Sequence, residues 1–102
     1  MVSFEIKASK IAGDGVFAKE DITNGENIGL GFKRIGTTGN PDKDYMRTSL
    51  GEKINHSQNS NIILSQDADK FYFTSSKDIR SGDELLINYE SIPWDGKRDF
   101  KP

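Results

Sequence analysis

The chain predicts an all-β or β-dominated single domain, on three observations. About six short extended runs recur at roughly ten-residue spacing. Clusters of Gly, Asn and Asp with turn chemistry separate them. Almost nothing reads as helix, and 102 residues suit one domain.

Each element follows in order. Phe4, Ile6 and Ala8 alternate with Glu5 and Lys7, the pattern of a half-buried strand. Gly13–Gly15 (GDG) is a turn, VFAKEDI a short strand, and TNGE a second turn around Gly25. NIGLGFKRI is a third extended run, loosened by Gly29 and Gly31, and GTTGNPDKD is a loop by composition. DYMRTSLGEK has a weak signal for a turn or two of helix. NIILSQ and KFYFTSSKDI are strands joined by a hairpin turn at QDAD. RSGDE turns into ELLINYE, the last clear strand, which sets Leu85, Ile87 and Tyr89 on one face. SIPWDGKRDFKP is a polar tail carrying Trp94 and Phe100. KEDITNGENI and SKDIRSGDELL share the form D-I-x-x-G-[ED], which two β-turns of common chemistry are enough to explain.

Composition narrows the function. A chain this size buries only about 60–70% of its unfolded surface, so its core is thin. Fourteen basic and 16 acidic residues interleave to a net charge of −2, without the basic stripe that nucleic acids require. There is no cysteine and one histidine, so neither a disulfide nor a metal site is expected. The N-terminus has no apolar signal-like core and no run approaches a membrane span, so a soluble, intracellular protein is expected, with no nucleic-acid or membrane partner.

Three stretches could carry chemistry. GDG lets backbone groups approach a ligand closely, but paired glycines are common in turns and no helix follows. GEKINHSQNSN gathers the one histidine and three asparagines. Such amides can read a heterocycle's edge, and a solvent loop of turn-forming asparagines explains them equally well. Tyr89 ends an apolar strand, a place for a core or rim residue whose phenol can also orient a reacting group. No nucleophile elbow is present.

Taken in order, KIAGDGVFAKEDITNGENI, GEKINHSQNSN and FTSSKDIRSGDELLINYE resemble the SET domain, the lysine methyltransferase fold, from about Lys10 to Tyr89. That family sets a GxG turn and a D-I-x-x-G-E turn before a central N-H-S-C-x-P-N segment, and ends in D-I-x-x-G-E-E-L and a strand closing on D-Y. The resemblance implies a mostly β SET (β-clip) fold of several short sheets, with a pseudoknot-like C-terminal segment and little helix. The whole chain, 1–102, would be one domain: an N-terminal part 10–32, a variable insert 33–50, a C-terminal part 51–90, and a tail 91–102 without zinc. Its shortness resembles that of the minimal single-domain viral SET proteins.

The function implied is transfer of a methyl group from S-adenosylmethionine to a lysine amine of a protein or peptide, histones being the family's best-known substrates. Asn55 and His56 would hold the cofactor, and the backbone of Ala12, Gly13, Asp14 and Gly15 its methionine end. The Tyr89 hydroxyl would face the methyl transfer. Ile87 and Tyr45 would line the lysine channel with Tyr89, and the small Ile87 would leave room for di- or trimethylation. Trp94, or failing it Phe100, would cover the cofactor. A homodimer is compatible with the resemblance. The family's cysteine and proline are Gln58 and Ser60 here, Asn61 keeps the last position, and Asn88 replaces the usual acid. These departures keep open a catalytically inactive SET-like binding module.

Overall fold

The computed structural model describes residues 3–89. Eight strands and two short helices follow in the order β1 (Phe4–Ala8), β2 (Asp14–Ala18), β3 (Asn27–Arg34), α1 (Pro41–Asp44), β4 (Tyr45–Arg47), α2 (Ser49–Lys53), β5 (Asn55–His56), β6 (Ile62–Asp67), β7 (Lys70–Ser75) and β8 (Glu84–Ile87). The strands join in one sheet path, β1-β2-β8-β6-β7-β3-β4, with β5 added beside β8. The mostly β architecture agrees with the sequence expectation. No helix among the described residues is long and apolar enough to cross a membrane.

The core is built by alternation. Phe71, Phe73 and Ser75 of β7 face inward between the more exposed Tyr72 and Thr74. Phe73 meets Phe32 of β3 edge to face, with centroids 5.6 Å apart, the preferred geometry for aromatic rings. Val16, Ile62, Leu85 and Ile87 complete the centre without measurable exposure beyond 1%. Ser75 is tolerated there because its hydroxyl donates to Thr23 O (2.7 Å) and accepts from Glu26 N (3.0 Å).

Several local expectations change. β1 is exposed along Glu5–Ala8, including Ile6, and not half-buried, because it is an edge strand paired only with β2. The GDG turn is shorter than expected: β2 already begins at Asp14, and the loop closes through Ser9 N donating to Gly13 O at 2.8 Å. DYMRTSLGEK divides into β4 and α2, with Thr48 capping the helix by accepting from Gly51 N. The loop expected over GTTGNPDKD ends in α1 and is organised by buried Asp44, whose carboxylate accepts from Thr38 N, Thr38 Oγ1 and Gly39 N. Burial would raise the pKa of Asp44, but those bonds and the charge of Arg34 outweigh it and hold the group below its ordinary value.

The D-I-x-x-G-[ED] echo proves to be more than shared turn chemistry. Ile22 and Ile79 exchange both backbone bonds at 2.8 Å. Asp78 Oδ1 accepts from Asn24 N (2.8 Å), and Asp21 Oδ1 accepts from Ser81 N (2.9 Å). Gly25 N donates to Ser75 O and Gly82 N to Ala18 O, while Ser75 N donates to Glu26 O and Ala18 N to Asp83 O. One constant sequence offset maps each bond onto its counterpart, so the two turns form a reciprocal pair. Both need glycine at the same place, with φ of 91° at Gly25 and 92° at Gly82. The pairing continues into the sheet, where Phe17↔Glu84 matches Thr74↔Asn27. This lock brings the start of β8 against β2, and with it the end of the GDG loop.

Candidate functional site

The site forms where β5 runs parallel to β8, with Asn55 opposite Leu86 and His56 opposite Ile87. Parallel strands so short need support beyond their own ladder. Asn61 supplies it: its Nδ2 donates to Glu84 O (3.0 Å), its Oδ1 accepts from Leu86 N (2.7 Å), and its backbone N–H donates to Leu86 O (3.0 Å). The side-chain amide thus acts as one more peptide rung. Asn59 instead sits at the exposed tip, its N–H on Ser57 Oγ. The cluster of amides therefore holds one structural residue, Asn61, one turn residue, Asn59, and Asn55.

Asn55 is 8% exposed and joins the site to the GDG loop. Its Nδ2 lies within donating distance of Ala12 O (3.1 Å), Asp14 O (3.2 Å) and Glu84 Oε2 (2.9 Å). Among the described residues no donor reaches Asn55 Oδ1. Glu84 also accepts from Ser9 Oγ, 2.8 and 2.9 Å from its two oxygens. The carboxylate presses on β2 so closely that a Cβ on Gly15 would run into it. Ser9 and Glu84 were not among the residues the sequence singled out. Ser9 gives no signal there, while Glu84 falls on the second acid of the family's D-I-x-x-G-E-E-L, a position to which the sequence reading gave no role.

Tyr89 lies two residues beyond the end of β8, outside the strand that ELLINYE suggested, and is held by the neighbouring strand. Its N–H donates to His56 Nδ1 (2.9 Å), which fixes that nitrogen as the unprotonated one. The two rings tilt against each other with centroids 4.8 Å apart. The Tyr89 hydroxyl donates to Ile54 O at 3.0 Å. Burial pushes its pKa up to about 12, because a phenolate would lose solvation.

The remaining sequence candidates stand apart. Ile87 is fully buried in the core. Tyr45 lies on β4 at the far end of the sheet path and packs on Phe71, with centroids 6.0 Å apart. Trp94 and Phe100 lie outside the described residues. Surface hollows of about 610 Å³ at the paired turns and about 380 Å³ beside Arg34–Thr37 include none of the site residues. Hydrogen bonding identifies this site among the described residues.

No curated protein sequence matches the chain significantly. Solved structures do. A Plasmodium falciparum protein described as a histone methyltransferase matches with a TM-score of 0.70 at 21% identity, over 87% of this chain and 94% of that one. The Polycomb Repressive Complex 2 of Chaetomium thermophilum, solved with H3K27me3, matches at 0.67 and 22% over 86% of this chain, which spans only 14% of the matched one. The methyltransferase domain of human PR domain-containing protein 2 matches at 0.58 and 17%, over 84% and 76% of the two chains. At these identities the likeness is one of fold. A SET-domain family model matches residues 35–90, more than half of the sequence and including Asn55, His56, Glu84 and Tyr89. The chain belongs to the SET-domain family.

Proposed function

We propose that this chain is an S-adenosylmethionine-dependent protein-lysine methyltransferase. One observation carries the reading. The two-residue strand β5 ties the GDG loop, through Asn55, to Tyr89, through His56. The two parts that the family resemblance assigns to cofactor and chemistry are thus joined by the segment it assigns to cofactor binding. The polar groups suit such a ligand: among the described residues Asn55 Oδ1 is an unused acceptor, and Glu84 offers a carboxylate without a basic partner within ion-pair distance. Both favour a cation-bearing molecule. When bound, the cofactor supplies a methyl group on a positive sulfur, which moves to an amine as the S–C bond breaks.

The chain's own task is to present that amine neutral and aligned. Lysine has a pKa near 10.4, so a neutral amine at pH 7 costs about 4.6 kcal/mol, which a desolvated channel reduces. Tyr89 stays protonated up to about pH 12 and is no base at neutrality. Its proton is directed at Ile54 O, so toward a lysine amine its oxygen would act as an acceptor and not as a donor. Proton removal then falls to water. A protein lysine as substrate is supported by the Polycomb relative solved with H3K27me3.

The test is methyl transfer from isotope-labelled S-adenosylmethionine to a lysine-peptide panel, read by mass spectrometry. Wild type is expected to label lysine. Tyr89→Phe is expected to be about a hundredfold slower, as when one transition-state hydrogen-bonding group is lost. Cofactor binding without transfer to any lysine would favour the binding-module reading instead.

A further inference from the structure

We infer that Glu84 makes the site selective for the positively charged form of its ligand: it favours the sulfonium cofactor over the neutral thioether left after methyl transfer. The inference rests on the methyltransferase reading above and assigns this residue a role within it.

The carboxylate is held but not neutralised. Its hydrogen-bond donors are the Ser9 hydroxyl and the Asn55 amide, both uncharged. Lys7 stands opposite Gly15 in the β1–β2 register, yet its ammonium lies 3.3 Å from Glu5 and 4.7 Å over the Phe17 ring. That Lys7–Glu5 contact is the ion pair found among the described residues, so no basic side chain comes within 4.0 Å of Glu84. Its negative charge is therefore left to act on whatever ligand lies beside it. The backbone does not require an acid there either. The position equivalent to Glu84 in the paired turn is Asn27, which meets Thr74 as Glu84 meets Phe17. Gly15, lacking a side chain, lets the carboxylate lie directly against the strand that follows the GDG loop. Asn55 bonds Glu84 and the carbonyls of Ala12 and Asp14 with the same nitrogen.

The ligand's charge changes during the reaction. S-adenosylmethionine carries ammonium, carboxylate and sulfonium, a net +1. S-adenosylhomocysteine keeps the first two and loses the third, a net of zero. A fixed negative charge attracts the first more than the second, and at the effective dielectric of a half-buried site the difference amounts to about tenfold. Glu84 would thereby favour loading of the reactive form and release of the spent one.

The experiment is calorimetric titration of wild type, Glu84→Gln and Ser9→Ala with S-adenosylmethionine and, separately, S-adenosylhomocysteine. Glu84→Gln keeps the shape and removes the charge. It is expected to lower the ratio of affinities, methionine form over homocysteine form, by about tenfold. Ser9→Ala loosens the carboxylate but keeps its charge, and is expected to weaken both ligands with little change in their ratio. A purely structural Glu84 would weaken both ligands equally, and an unchanged ratio in Glu84→Gln overturns the inference. Should that variant not fold, wild type alone decides. Its ratio should fall as salt rises from about 20 to about 500 mM, and a ratio independent of salt overturns the inference. If wild type binds neither ligand, the methyltransferase reading fails and takes this inference with it, an outcome distinct from binding without charge selectivity.

Discussion

Tyr89 is held by its backbone, its ring and its hydroxyl: its N–H donates to His56 Nδ1, the imidazole tilts against its ring, and its O–H donates to Ile54 O. The same environment shapes its ionisation. Its pKa rises from the ordinary 10.0 to about 12 through burial. Between those values the folded protein keeps a proton that the unfolded chain has lost, so the folded state binds more protons. Stability therefore falls as pH rises from 10 to 12, and Tyr89 has no effect on it below that window. Urea midpoints measured across this range should decline more steeply for wild type than for Tyr89→Phe. Parallel declines would contradict the buried, hydrogen-bonded phenol. Part of this residue's placement was legible: the alternation of ELLINYE put Tyr89 on the side of Leu85 and Ile87, and it packs against the core that they join. The grip of His56 was not, because no local pattern records which strand will lie beside β8.

At the scale of elements, the reciprocal turns are the device that brings the two halves of the sheet together. Asp21 and Asp78 each cap the other turn, and the Ile22–Ile79 exchange lies between them. Replacing either aspartate by alanine should cost about 1 kcal/mol, the net worth of one such hydrogen bond. Because both caps hold the same pair of turns, the double variant should depart from additivity by more than about 0.5 kcal/mol. Additive losses in urea denaturation would mean two independent turns. The sequence carried both turns plainly, but a shared D-I-x-x-G-[ED] form does not say that one turn faces the other. β4 and β5 escaped for a related reason. Three and two residues are too few for alternation to register, and each is a strand only by virtue of its partner.

Over the whole molecule, the β-rich class and most strand positions were legible because apolar alternation and turn chemistry are local properties. The site was legible in part. Asn55, His56 and the GDG loop stood out, while Ser9 and Glu84 depend on contacts across the sheet between residues far apart in the chain. β1 looked half-buried in sequence and proved exposed, since alternation marks two faces without saying whether either is covered. The molecule's central feature is that its long-range contacts converge on Asn55, which gathers the loop after β1, the start of β8 and strand β5 into one polar centre. The most direct test is calorimetric titration of S-adenosylmethionine into wild type and Asn55→Ala, with circular dichroism confirming that both are folded. One saturable site in wild type, weakened at least about tenfold in Asn55→Ala by loss of its hydrogen bonds, is the predicted result. No saturable binding to folded wild type at millimolar cofactor, or equal affinity in both proteins, would contradict it.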